Sequence, residues 1–293
     1  KAVYYGKSLN SEIEDTPNRL QDLTKILWRL RKFLYTVTAY VSEMFLQVLL
    51  RGLDRRYHCF IHETQDYEWK SMLFGNVSSP NASQKVFAVL CDLFGEPFKE
   101  AVETLRNSFY MDDASDSRAT EEEALQLATE LVELLGKASM VIRKFYSNSP
   151  LVLRSLPSEL LAKQVSIGED TITVEPGKIL GMKYNANDKE DYLSFQGKFR
   201  SIREWTNRSE VMIVNPGEWT KRKIAKAAAS IYDPHGLISP FTVRSKVILQ
   251  TIWRQTELDW DTRIPPTIAD TWETWMEQIF VIPGMGLMLL EAV

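Results

Sequence analysis

Apolar residues recur along this chain with helical spacing in some stretches and strand alternation in others. Leu20, Leu23, Ile26, Leu27 and Leu30 share one helical face, while Arg29, Arg31 and Lys32 lie on others, which predicts a helix over Pro17–Tyr35. Thr36–Leu50 is strongly apolar, with β-branched and aromatic residues first, and predicts a buried strand passing into a short helix. Tyr57–Ile61 alternates as a strand and can pair with Tyr67–Trp69 across a Glu63–Asp66 turn. After the break at Ser78-Ser79-Pro80, Gln84–Leu93 reads as an amphipathic helix. Thr120-Glu121-Glu122-Glu123 is a capping box, and its helix carries Leu127, Leu131, Leu134 and Leu135 on one face before stopping near Gly136. Leu151–Leu161 is a further helical stretch. Ile179–Tyr184, a polar loop over Asn185–Asp191 and Tyr192–Phe195 predict a second hairpin. Thr220–Tyr232 is helical up to Asp233-Pro234-His235-Gly236, and Thr242–Trp253 is the next helix. This order predicts an α+β protein with a helical appendage.

Composition adds bounds. With 293 residues, 44% hydrophobic and 25% charged, the chain can bury one large core or two smaller ones. A net charge of −4 carries no global sign of nucleic-acid binding. The densest basic cluster is Lys221-Arg222-Lys223 with Lys226, either a solvated helix face or a phosphate track. Cys59 and Cys91 sit among apolar neighbours, which predicts two buried, reduced thiols in a cytosolic or nuclear, non-secreted protein. The apolar segment Val281–Leu290 is too short and too broken by Pro and Gly to span a bilayer, so no membrane partner is expected. The chain opens without Met, as a fragment of a longer protein would.

The candidate chemistry lies in Ser108-Phe109-Tyr110-Met111-Asp112-Asp113, followed by what reads as a polar turn, Ala114–Ser117. Two carboxylates at the tip of a β-hairpin suit a site with two divalent cations about 3.5–4 Å apart. Other chemistries are poorly served. An aspartic peptidase needs paired Asp-Thr-Gly or Asp-Ser-Gly loops, whereas Asp116-Ser117 precedes Arg118 and Asp261-Thr262 precedes Arg263. His58, Cys59 and His62 alternate sides of a strand and lack the fourth ligand of a structural zinc. His235 has no Gly-x-Ser-x-Gly partner, and no Gly-rich phosphate loop occurs.

Four segments in order resemble the palm of reverse transcriptases: Met44–Val48, Phe74–Pro80, Phe109–Asp113 and Leu180-Gly181. More narrowly, the chain resembles the Pol polyprotein of BEL/Pao-type LTR retrotransposons. Tyr5–Asn10, Glu43–Gln47, Arg143-Lys144-Phe145, Ser147-Asn148 and the long stretch Ala228–Pro240 carry that resemblance, with Leu249–Trp253 and Leu258–Asp261. It implies a right-hand polymerase fold, with fingers and palm over residues 1–198 and a helical thumb or connection over 199–293. The implied activity is RNA- or DNA-templated DNA synthesis with two Mg²⁺ (or Mn²⁺) ions. The implied partners are primer–template and dNTP, with RNase H and integrase modules elsewhere in the polyprotein, in a virus-like particle in the cytoplasm or in the nucleus.

By the same resemblance, Asp112 and Asp113 are the metal-binding and catalytic carboxylates, and Lys144 is placed to protonate the leaving pyrophosphate. Phe45, Gln47, Gly75, Ser79, Pro80, Gln84, Tyr110 and Met111 face nucleotide and template. Leu180 and Gly181 begin the primer grip, and Lys221, Arg222 and Lys226 are offered as backbone contacts. One departure is decisive. Tyr40 stands where the family has a third metal-binding Asp, and a neutral phenol with a pKa near 10 is a poor Mg²⁺ ligand. Leu73, Asn81 and Ala114-Ser115 also depart from the pattern, and the basic finger segment is expected to precede this chain. Two function classes follow: a polymerase module impaired at position 40, or a non-catalytic nucleic-acid or protein interaction domain that keeps the palm.

Overall fold

The computed structural model describes residues 5–279 apart from 14–16, 18, 169–170, 176, 188–189, 195–217 and 256. Two compact units divide between Glu175 and Pro176. The expected boundary at 198 lies outside the described residues.

The first unit runs α1 (Leu9–Glu12), α2 (Leu23–Leu30), β1 (Tyr35–Val41), a 3-10 helix (Met44–Gln47), α3 (Gly52–Arg55), β2 (Cys59–His62) and β3 (Gln65–Glu68). It continues with α4 (Ser79–Phe94), α5 (Lys99–Asn107), β4 (Phe109–Tyr110), β5 (Asp113–Arg118), α6 (Glu121–Gly136) and β6 (Ile142–Ser147). It closes with α7 (Pro150–Ser155), a 3-10 helix (Ser158–Leu160), β7 (Val165–Ile167) and β8 (Ile172–Val174). Its main sheet is antiparallel in the order β4-β5-β1-β6.

Strand β1 forms where β-branched and aromatic residues cluster, and Thr36, Val37, Thr38 and Ala39 are all buried because it is central. The helix expected over Pro17–Tyr35 is shorter than that. Asp22 caps it by accepting from the amides of Thr24 and Lys25, and the chain leaves it at Arg31 to enter β1. A second correction concerns Ala114–Ser117, which is not a turn but the buried body of β5. Ala and Ser have little strand propensity, yet the ladders to β1 and β4 override it. Ser117 and Asp116 have partners, while the buried Ser115 hydroxyl has none among the described residues. Ser117 donates to the Arg29 carbonyl at 2.6 Å and accepts from the Phe33 amide at 3.0 Å. Asp116 accepts from Thr104 at 2.8 Å and pairs with Arg118 at 3.2 Å, and Arg118 also binds Glu100.

Helix α6 begins as expected, with Thr120 and Glu123 satisfying each other's amides. Leu127, Leu131, Leu134 and Leu135 are fully buried, each contributing roughly 2 kcal/mol of apolar burial, while Leu125 is only partly buried. Helix α5 has no local cap. Its first amides, of Glu100 and Ala101, donate to the Glu130 carboxylate of α6 at 2.8 and 3.1 Å, where the helix dipole also favours an anion. The β2–β3 hairpin is exposed throughout, with Phe60 stacked on Tyr67 and close to Trp69. Cys59 is therefore exposed, contrary to expectation, and only Cys91 is buried.

The second unit comprises β9 (Gly177–Ile179), β10 (Met182–Asn187), β11 (Glu190–Ser194), α8 (Lys221–Ala229), α9 (Ser239–Trp253) and α10 (Pro266–Ile279). The loop expected over Asn185–Asp191 is largely ladder, because Asn185, Ala186 and Asn187 pair with Tyr192, Asp191 and Glu190. Leu180 (φ 47°) and Gly181 (φ 87°) form a two-residue turn between β9 and β10, the backbone such a hairpin requires. A Cβ on Gly181 would lie 2.9 Å from the Tyr232 ring, so only glycine fits there. Trp219, Trp272 and Trp275 centre the helical core, and Asp233 accepts from the amides of Leu237 and Ile238 in the turn that leads into α9. Among the described residues, no helix is long and apolar enough to cross a membrane.

Candidate functional site

The acidic hairpin and β1 converge at one edge of the main sheet. Tyr110 pairs with Asp113 to close a two-residue loop of Met111 and Asp112. Met111 adopts φ 53°, a conformation that favours glycine and costs a side chain about 1–2 kcal/mol. The neighbouring strand holds that loop in place, since the Val41 amide donates to the Asp112 carbonyl at 2.8 Å. In the same register Tyr40 stands directly opposite Asp113. Its phenol lies close enough to Asp112 for each group to shift the other's ionisation. Glu43 then ends the strand in a left-handed conformation (φ 50°) and is exposed, away from the pair.

On the other side of β1, the pairing with β6 slips. Thr38 faces Tyr146 and Tyr40 faces Arg143, so β6 carries one extra residue in this stretch. Lys144 sits in that bulge at φ 56°. Bulges redirect side chains, and this one brings the Lys144 ammonium over the Tyr40 ring, 4.2 Å from its centroid. The structure thus gathers Tyr40, Asp112, Asp113 and Lys144.

Burial and mutual repulsion set the electrostatics. Burial, then the charge of Asp112, pushes the Asp113 carboxyl up to about 6, while Lys144 pulls the other way. Burial also raises Asp112, opposed by its hydrogen bonds and by Lys144. The Tyr40 phenol is raised by burial and by the negative charge of Asp112, so it stays neutral.

This arrangement has a measurable consequence for stability. An unfolded aspartate titrates near 3.9, so between about pH 4 and 6 the folded chain holds more protons at Asp113 than the unfolded chain does. Stability then falls as pH rises through that window, and the deficit remains at neutral pH. Asp113→Asn is expected to stabilise the protein by about 1–2 kcal/mol at pH 7.5 and hardly at all at pH 4. Thermal unfolding midpoints across this range test it, and an equal gain at both pH values would show that Asp113 is not the cause.

Beside this cluster, Phe45 is buried and meets Phe74 edge-on at 4.9 Å, and Gln47 is half-buried in the same 3-10 helix. Gly75 is exposed at φ 92°, and its carbonyl accepts from Asn10 at 2.7 Å. Ser79 is buried and donates to the Leu73 carbonyl, which leaves no hydroxyl proton for a ligand, and Pro80 occupies the first turn of α4. Gln84 is buried with its Nε2 unpaired in the described structure. Tyr110 and Met111 are half-buried. Leu180 and Gly181 belong to the second unit.

The basic trio divides. Lys221 is buried and donates to the carbonyls of Leu258 (2.6 Å) and Gln255 (3.2 Å), so it is not a phosphate contact. Burying a charged amine requires such partners, and the sequence spacing could not reveal them. Arg222 is exposed but paired at both nitrogens with Asp261, which holds that carboxyl below its usual range. Lys226 is exposed. No signal in the sequence marked the partnership of Lys144 with Tyr40, because it depends on a register slip between strands.

A family model described as a Pao retrotransposon-like RNaseH-like domain matches residues 220–281. The described residues of that stretch form α8, α9 and α10. No curated protein matches the chain. Among solved structures, it is similar to a foamy viral protease-reverse transcriptase in complex with RNA/DNA hybrid, with TM-score 0.53, 14% identity, and coverage of 89% of this chain and 29% of that one. The foamy viral enzyme in complex with dsDNA gives TM-score 0.56 at 14% identity, covering 94% and 48%. A form named dRH with ds DNA gives 0.51 at 13%, covering 91% and 40%. The chain therefore spans less than half the length of each. The likeness is one of fold: a mixed α and β chain built like retroviral reverse transcriptase structures.

Proposed function

We propose that this protein is the reverse transcriptase region of a BEL/Pao-type retroelement Pol polyprotein, with fingers and palm over residues 1–198 and a thumb or connection over 199–293. In this reading it binds primer–template and has lost most of its polymerase chemistry. The observation that carries the reading is the register of β1 against the acidic hairpin. It sets position 40 beside Asp112 and Asp113, where a polymerase would place its third carboxylate.

The residues present do not fit the implied pair of Mg²⁺ or Mn²⁺ ions. Asp112 and Asp113 supply anionic oxygen, but Tyr40 supplies only a neutral hydroxyl whose pKa is pushed up by burial and by Asp112. Its ring also fills volume that a cation and its ligands would need. What remains is a nucleic-acid-binding surface, in which Gln47, Gly75, Pro80, Tyr110 and Met111 face the duplex end, supported from below by buried Phe45 and Gln84. Ser79 serves to position the loop before α4.

Fluorescence anisotropy with a labelled RNA/DNA hybrid and with duplex DNA tests this. The foamy viral proteins of similar fold are seen with those two ligands, which makes them the probes to use. Affinity should fall steeply between about 50 and 200 mM salt, and Lys226→Ala should flatten the slope by about one unit. Salt-insensitive binding, or none, would count against the reading.

The family match raises a second reading, an RNase H-like nuclease. Three of the seven carboxylates in the matched stretch are committed elsewhere: Asp261 to Arg222, Glu273 to Trp219, and Asp233 to backbone amides. Degradation of the RNA strand of a hybrid would favour it.

A further inference from the structure

We propose that Tyr40 and Lys144 together replace the divalent cation of this site: the phenol stands opposite Asp113 in the strand register, and its ring seats the Lys144 ammonium as a resident counter-ion for both carboxylates. The inference rests on the reading of Asp112 and Asp113 as a former metal-binding pair. Three observations on different elements converge on it. Tyr40 is locked opposite Asp113 by the β1–β5 register. Lys144 is delivered by the extra residue of β6 and a left-handed backbone, which costs free energy unless the position is useful. Its ammonium lies 4.2 Å from the Tyr40 ring centroid, a cation–π distance.

An aromatic ring offers a negative face without a formal charge. It can therefore hold a monovalent ammonium near two carboxylates without adding to their repulsion. A divalent cation would have to enter next to that ammonium, lose its hydration shell and find a phenol in place of an anion. Replacing Tyr40 alone thus leaves an obstacle. A new carboxylate at position 40 would pair with Lys144 before it met any metal.

Four proteins distinguish the cases by Mn²⁺ titration, read by electron paramagnetic resonance, with thermal unfolding as a check on folding. They are the natural chain, Tyr40→Asp, Tyr40→Asp with Lys144→Met, and Tyr40→Asp with Lys144→Arg. The natural chain should bind Mn²⁺ weakly and Tyr40→Asp only a little better. Removing the lysine charge in the Tyr40→Asp background should tighten binding about tenfold, since Lys144 is exposed and its repulsion of a dication is partly screened. The arginine variant should behave like Tyr40→Asp alone, because it keeps the charge. If Lys144→Met fails to fold, Lys144→Gln takes its place. Equal, tight binding by Tyr40→Asp and the methionine double variant would overturn the role of Lys144 while leaving the former metal site intact. Failure of every variant to bind Mn²⁺ would overturn both.

Discussion

Given a primed RNA or DNA template, Mg²⁺ and all four nucleotides, the natural protein should extend primers at least about a thousandfold more slowly than a polymerase with three carboxylates here. The reason is the stabilisation of transition-state charge. Ions bridging the attacking and leaving oxygens contribute several kcal/mol, and each tenfold in rate corresponds to about 1.4 kcal/mol. Tyr40 removes one anionic bridge and puts a neutral phenol opposite Asp113 in its place. Raising pH does not help, because burial and the nearby carboxylates keep the phenol protonated above its usual range. Tyr40→Asp should recover only part of the activity, as Leu73, Asn81 and Ala114 also depart from the polymerase pattern. Single-nucleotide extension with Mg²⁺ and Mn²⁺ measures this, with Asp112→Asn as the blank. Extension by the natural protein well above that blank would refute the metal argument.

The second large effect concerns stability. Arg118→Met should destabilise the first unit by about 3–5 kcal/mol, lowering the unfolding midpoint by roughly 10 °C. Arg118 and Asp116 are almost wholly buried, with side-chain exposures of 8% and 3%, and Arg118 also binds Glu100, Thr104 and the Ser117 carbonyl. Deleting that cation leaves buried Asp116 with only Arg29, 4.0 Å away, to offset its charge, and the cost of that poorly paired charge exceeds the worth of the pair itself. Asp116→Asn added to Arg118→Met should therefore recover part of the loss, because no buried charge then remains at position 116. Thermal unfolding at pH 7 reads both. A loss below about 1 kcal/mol for Arg118→Met would mean that water reaches the pair and screens it.

Much of the candidate site was legible before the fold was known, and the parts that were not share a cause. Two adjacent carboxylates after Phe109-Tyr110-Met111 point to a hairpin, and β4 and β5 form it. The continuation of β5 was hidden, because Ala114–Ser117 has the composition of a turn and becomes a strand only by pairing with β1. Position 40 could be aligned with the acids only through a resemblance. That its ring carries Lys144 follows from a bulge in β6 that no local pattern encodes.

Local signals settled the elements whose hydrogen-bond partners lie a few residues away. Thr120 and Glu123 start α6 and its leucines choose its buried face. Asp22 starting α2 and Gly181 turning β9 into β10 are equally local, although the apolar pattern carries the helix back to Pro17 and a strand through Gly181. The sequence by itself therefore determined where several helices and turns begin and which faces they bury. Tertiary structure decided what depends on partners far along the chain. Helix α5 is capped by Glu130, β5 is a strand because β1 lies beside it, and Lys221 is buried because the carbonyls of Gln255 and Leu258 receive its protons. A charged or polar side chain enters an interior only when something there satisfies it, and that condition is met by the fold as a whole.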